Sequence, residues 1–287
     1  MVKSNEDKII NWVVILLLAI VGIASIFPLL FVLSMSLTPY EEVMKHGGFL
    51  VIPRSITLEG YREVLQGDQI PRAFGVTVFL TTVGTAVNLI LTMLAAYPLS
   101  KKNLVGRSPV LFLILFTMLF HGGMIPTYLV VKDLGLLDSV WAMIVPGAIS
   151  TFNLLIMKSF FENLPEELFE SARMDGAKEL RILFQMVLPL SLPVMMTIGL
   201  FYGVQHWNTL FSALLYVRER SLYPLQVVLR EILISSQTMD YASAQANIPT
   251  ETFKMSAVIL SSLPIVMVYP FIQKYFAKGV LLGSVKG

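Results

Sequence analysis

Apolar residues dominate six stretches of the chain: Trp12–Leu37, Phe74–Leu99, Pro109–Val131, Val140–Phe161, Leu190–Val217 and Met255–Phe276. Each is about as long as the roughly 20 residues a helix needs to cross about 30 Å of hydrocarbon. A bilayer core offers free backbone N–H and C=O groups no partners, so a crossing segment is a helix or part of a closed barrel. These runs lack the apolar–polar alternation of barrel strands, which leaves helices. The expectation is an all-α membrane protein with six transmembrane helices, forming a single transmembrane domain over residues 1–287. Pro28 stands in the middle of the first run and predicts a kink. That run is far longer than a signal-peptide core and no small-x-small cleavage motif follows it, so it reads as a retained first span.

Composition agrees: 55% of residues are hydrophobic and 14% charged. Where the charges lie adds an orientation. The stretch "SKKNLVGR" after the second run and the tail "QKYFAKGVLLGSVKG" carry Lys and Arg without an acid, which places them on the cytoplasmic side. Six spans then put both termini in the cytoplasm. "KDLGLLDS" becomes a short outer turn, and Thr38–Arg72 and residues 218–254 become extracytoplasmic loops. The second of these has Leu225, Val228, Leu229 and Ile232 at helical spacing. That segment is expected to meet an external protein; the alternative is a helix lying across the outer mouth of the bundle, and the two are compatible.

Several function classes fall away. A net charge of +2, without a basic block interleaved with aromatics, gives nucleic acid no surface. With no cysteine, the chain has no disulfides, thiolate nucleophiles or Cys-ligated metals. His46, His121 and His206 each lack a second ligand at metal spacing, so no metal site is expected. No phosphate-binding Gly-x-x-x-x-Gly-Lys-Ser/Thr loop, Gly-x-Ser-x-Gly or His-Glu-x-x-His motif occurs. The chain is therefore expected to hold no cofactor and to be no enzyme.

Residues 162–189 break the apolar pattern on the cytoplasmic side. Asn163 with Glu166 three residues on reads as a capping box, with Pro165 in the first turn and Gly176 ending the helix. A second helix from Ala177 sets Leu180, Leu183, Phe184, Val187 and Leu188 on one stripe, before Pro189 and Pro193 bend the chain into the fifth run. Acids outnumber bases here, Glu162, Glu166, Glu167, Glu170, Asp175 and Glu179 against Arg173, Lys178 and Arg181, whereas a lipid-surface anchor carries the opposite charge. A protein partner with basic groups fits better than a hairpin packed only on its own bundle.

These residues resemble the signature of the inner-membrane permease subunits of ATP-binding-cassette importers: Glu-Ala-Ala, three residues, Gly, nine residues, Ile-x-Leu-Pro. Glu170, Ser171 and Ala172 match its start, Gly176 its glycine, and Met186, Leu188 and Pro189 its end, with Ser171 and Met186 as volume-like exchanges. "AAYPLSKKNLVGR", "GGMIPTYLVVKDLGLLDSVWAMIVPGA" and "YPLQVVLREIL" resemble the carbohydrate-uptake branch, close to the maltose permease's smaller subunit and to permeases of poly- and oligosaccharides. The resemblance implies the type I importer permease (MetI-like) fold in a bacterial inner membrane. Its implied partners are a second, dissimilar permease subunit, two ATPase subunits that hold ATP and Mg, and an extracytoplasmic solute-binding protein. It makes 162–189 a coupling loop seated on an ATPase, with Glu170 facing an ATPase arginine and Gly176 supplying the bend. Ser171, Asp175, Leu188 and Pro189 complete the element, Leu168, Ala172, Leu180 and Phe184 are its expected apolar contacts, and the tail at Lys278, Gly279 and Lys286 reaches toward the same partner.

A saccharide path needs amphipathic aromatics and amides at membrane depth, where polar groups are costly. "YGVQHWNTLFSALLY" offers Tyr202, Gln205, Trp207 and Asn208. Tyr202, Gln205 and Asn208 or Thr209 are expected on one helical face, with His206 pointing elsewhere. The alternative is that these amides, with Asn88 and Asn153, hydrogen-bond between helices as packing glue. The substrate is left between neutral oligosaccharides and acidic ones such as alginate or pectin fragments. A secondary transporter or channel working without ATPases is the competing reading; it would need membrane-embedded acids, and the six runs are almost free of Asp and Glu.

Overall fold

The computed structural model describes the backbone of residues 5–238 and 250–284 and the side chains of residues 9–234, 250–268 and 270. Among these the regular structure is helical. In chain order the helices are α1 (Asn5–Leu37), α2 (Tyr40–Lys45), α3 (Glu59–Gln66), α4 (Gln69–Phe79), α5 (Thr85–Ser100), α6 (Arg107–Leu119), α7 (Met124–Asp133) and α8 (Thr151–Glu162). They continue as α9 (Glu166–Met174), α10 (Glu179–Ile182), α11 (Leu188–Leu190), α12 (Leu192–Trp207), α13 (Phe211–Tyr216), α14 (Leu225–Thr238) and α15 (Glu251–Ser284). Single π-helical turns, Leu80–Gly84 and Leu183–Val187, join α4 to α5 and α10 to α11. Residues 239–249 of the expected outer loop and Lys286 lie outside the described residues, as do the side chain of Lys278 and that of every other tail residue.

Among the described residues three helical runs are long and apolar enough to cross a membrane on their own: Ile9–Leu37, Gln69–Ser100 and Glu251–Val268. Helix α1 continues through Pro28. The third, fourth and fifth apolar runs are not single helices. α6 and α7 meet at 117°, the turns at Val140–Gly147 meet α8 at 53°, and Glu179–Leu190 meets α12 at 84°. Local chemistry accounts for the breaks. Gly123 takes a positive φ of 90° ahead of α7, and the Ser150 hydroxyl caps α8 by accepting from Asn153 N–H. Proline restarts the chain at Leu192 and Pro193 after α11 has ended at Ser191. Six crossings result only if each bent pair is one span.

The described residues divide into two compact units, residues 5–70 with 229–238 and 250–263, and residues 71–228 with 264–284. In the first, the end of α1 is tied to α15 by backbone carbonyls: the Thr252 hydroxyl donates to Thr38 O (2.8 Å) and the Ser256 hydroxyl to Ser36 O (3.2 Å). Gly60 lets α3 approach the same place, since a Cβ there would lie 2.6 Å from Ser256 Oγ. The second unit is built around α5, α8 and α12, whose facing residues Met93, Ala96, Leu154, Met157, Ile198 and Tyr202 are buried. Leu225, Val228, Leu229 and Ile232 of α14 are all buried within the chain.

Candidate functional site

The segment between α8 and α12 forms a helical hairpin. Its first helix does not begin with the expected capping box: Asn163 ends α8, its amide donating to Ser159 O (2.7 Å), and Pro165 precedes α9 without a side-chain cap. The acids Glu166 and Glu167 still sit in the first turn, where the helix dipole favours them. Gly176 turns the chain with φ +76°, a conformation an L side chain rarely adopts, and its N–H closes the helix on Arg173 O (3.0 Å).

One face of this hairpin is interior. Phe169, Ala172, Ile182, Leu183 and Val187 join the core with Tyr97, Phe161 and Ile198. The other face is open, carrying Leu168, Glu170, Ser171, Asp175, Leu180, Phe184 and Pro189, with Leu188 half-buried. The expected stripe is thus divided. Leu183 and Val187 are buried while Leu180 is 65% and Phe184 50% exposed. The π-helical turn at Leu183–Val187 rotates the residues after Ile182 relative to an uninterrupted α-helix. Ala172 is a correction to the expected contact set, because it faces the core and not the open side.

The residues of α12 also sort differently from expectation. Tyr202 and His206, four apart, share the buried face, while Gln205 and Asn208 are exposed. The Tyr202 hydroxyl pairs with the Thr92 hydroxyl (2.7 Å) and accepts from Ser150 N–H (3.0 Å), joining α12 to α5 and to the start of α8. His206 Nε2 pairs with the Asn88 amide (3.1 Å). The imidazole lies over Gly84, where a Cβ would stand 2.7 Å from Nε2. Trp207 is buried edge-on against Phe74, with ring centroids 5.9 Å apart. Gln205 Nε2 is 3.7 Å from where a Gly147 Cβ would stand, and the Asn208 amide donates to Val204 O (2.8 Å) at the helix end.

A family model described as "Binding-protein-dependent transport system inner membrane component" matches residues 7–282. The chain belongs to that family. The permease is 46% identical over 286 residues to the polygalacturonan/rhamnogalacturonan transport system permease protein YtcP of Bacillus subtilis, covering 98% of this chain and all of that one. It is 25% identical to the arabinooligosaccharides transport system permease protein AraQ of Halalkalibacterium halodurans, over 99% of this chain and 100% of that one. Its fold matches, with TM-score 0.89 and 32% identity over 96% of this chain and 99% of the other, a chain from the crystal structure of a bacterial ABC transporter involved in the import of the acidic polysaccharide alginate. The all-helical permease fold expected from the signature is therefore the fold of this chain, and a family member is a transport component, not itself an enzyme.

Asn88 makes the interhelical hydrogen bond weighed for it from the sequence, but its partner was not legible there: Asn88 and His206 are 118 positions apart, and nothing local pairs them. The aromatic and basic residues ending α5, Tyr97 and Lys101, lie in a stretch whose charge revealed orientation and nothing more.

Proposed function

We propose that this permease is one of two dissimilar membrane subunits of an ATP-driven importer of oligo- or polysaccharide in the bacterial inner membrane, with six crossings and both termini cytoplasmic. The hairpin of residues 162–189 seats on an ATPase subunit and conveys its closure to the helices. ATP and Mg are held by the two ATPase partners, and the saccharide arrives from an extracytoplasmic solute-binding protein. What most supports the reading is the hairpin itself: the signature residues Glu170 and Ser171 on α9 and Gly176 at the turn that follows it are exposed, as are Leu180 and Phe184, on a body anchored in the core. Exposed large apolar side chains next to acids are what a partner with an apolar, basic-rimmed cleft would cover.

Co-purification of the full complex tests the assembly. In that complex Glu170→Lys and Gly176→Leu are expected to abolish substrate-stimulated ATPase activity; full stimulation in both variants overturns the coupling role. An ATPase-free secondary transporter would show uptake driven by an ion gradient with no ATPase partner retained.

The substrate we infer is acidic. Polygalacturonan is a polymer of a uronic acid and alginate is an acidic polysaccharide, and these are the substrate names carried by the 46% identical relative and the structural match. Within the chain, exposed Gln205 and Asn208 and buried Trp207 at the end of α12 are our candidates for the saccharide path. Titrating the solute-binding protein with neutral and uronate oligosaccharides decides the class. Trp207→Ala is expected to lower uptake at normal assembly and basal ATPase; unchanged uptake and specificity would remove Trp207 from the path.

A further inference from the structure

The hairpin is held to α5 by more than apolar packing. Lys101, the residue that ends α5, extends its ammonium over the Phe169 ring of α9, 3.4 Å from the centroid, and over the Tyr97 ring of its own helix at 4.7 Å. A cation between two aromatic faces gains from both quadrupoles, and more so when water is partly excluded. It also stands at the C-terminal, negative end of the α5 dipole. Burial works against the charge and lowers the Lys101 pKa, while the Glu179 carboxylate acts in the opposite direction.

Glu179 closes the arrangement. One carboxylate oxygen accepts from the Tyr97 hydroxyl (2.5 Å), the other from Arg173 Nε (3.1 Å). Arg173 is in α9 and Glu179 begins α10, so their pairing spans the Gly176 turn. Five side chains from α5, α9 and α10 therefore form one knot that fixes the two arms of the hairpin to each other and to α5. Without it, a push on the hairpin's open face would reach the bundle through α8, α12 and the apolar core alone.

We propose that Lys101, Tyr97, Phe169, Arg173 and Glu179 are positioning residues for energy coupling: the knot makes the hairpin and α5 move as one body, so that displacement of the hairpin is delivered laterally to α5. This rests on the coupling role assigned above to the hairpin. Lys101 is the centre of the knot because its ammonium stands over both rings; its aliphatic stem stays between them if only the charge is removed.

The test uses the assembled complex in proteoliposomes and compares Lys101→Met, which keeps the stem, Lys101→Arg, which keeps the charge, and Tyr97→Phe, which removes only the hydroxyl bonded to Glu179. Three quantities are read: the amount of ATPase subunit retained, ATP hydrolysed, and saccharide transported. Lys101→Met is expected to retain the ATPase subunits and to hydrolyse ATP, yet to raise the ATP consumed per saccharide at least about tenfold, with Lys101→Arg near wild type and Tyr97→Phe between them. An unchanged ratio in Lys101→Met and Tyr97→Phe overturns the proposal. A loss that Lys101→Arg does not rescue also overturns it, because a general packing role would not respect charge. If Lys101→Met fails to assemble, the ratio in Tyr97→Phe decides alone. Failure of the underlying reading looks different: Glu170→Lys and Phe184→Ala on the open face would then leave substrate stimulation intact, whatever the knot variants do.

Discussion

Gly84 marks how closely α12 approaches the turn before α5. Any Cβ there would meet the His206 ring at 2.7–2.9 Å, and that ring is held by Asn88. Gly84→Ala is expected to destabilise the solubilised complex by about 1–3 kcal/mol, as overpacking does. Gly75→Ala, in the same helical run with nothing within 4 Å, is expected to leave stability unchanged or slightly raised, since alanine is the better helix former. Thermal denaturation of the two variants side by side checks the contrast. Gly176 poses the opposite problem: the space around it is open and its backbone conformation is the constraint, with φ +76°. Gly176→Asn should retain more substrate-stimulated ATPase activity than Gly176→Val, because asparagine tolerates left-handed geometry and a β-branched residue does not. Equal losses would mean that the side chain clashes with a partner and that backbone strain is not the cause.

Between elements, single polar atoms connect helices that are distant in sequence. Tyr202→Phe removes the hydroxyl that joins α12 to Thr92 of α5 and to the backbone at Ser150. The expected cost is about 1 kcal/mol, the scale of interhelical hydrogen bonds in membranes, read as a lowered denaturation midpoint at unchanged fold. The hairpin knot carries a pH signature. The hydrogen bond from Tyr97, followed by Arg173, holds the Glu179 pKa below the ordinary carboxylate value despite partial burial. A depressed folded-state pKa means that this stabilisation is present above the unfolded value and is lost as pH falls through the folded one. The stability difference between wild type and Glu179→Gln should therefore be constant through neutral and mildly acidic pH and vanish only at stronger acidity, measured by denaturation at a series of pH values. A difference that vanished between pH 6 and 8 would assign the effect to another group.

For the whole molecule, topology is the property most directly open to measurement. The chain has no cysteine, so any single cysteine introduced is the sole label site. Cysteine at Lys102 or Lys178 should react with an impermeant thiol reagent only from the cytoplasmic side, and cysteine at Lys132 or Arg218 only from outside; the reverse pattern at any of the four overturns the orientation. Apolar run length, the absence of nucleotide and hydrolase motifs, and the spacing from Glu170 through Gly176 to Pro189 were sufficient in the sequence for an all-helical membrane chain with a signature of the permease family. These features are local, and local spacing sets what a helix can be. Tertiary structure decided which of those helices break, with bends of 117° and 53° inside the third and fourth apolar runs, whereas the 84° bend at the entry to the fifth stands where Pro189 and Pro193 predict it. It also decided that Tyr202 faces α5 while Gln205 does not, that the leucine stripe of the hairpin is split between core and surface, and that Lys101 lies between two rings. The physical reason is the same in each case. A helical face becomes interior only by meeting another surface, and the surfaces met here, α5 by α12 and Lys101 by Phe169, are brought together across dozens of residues that no local periodicity spans.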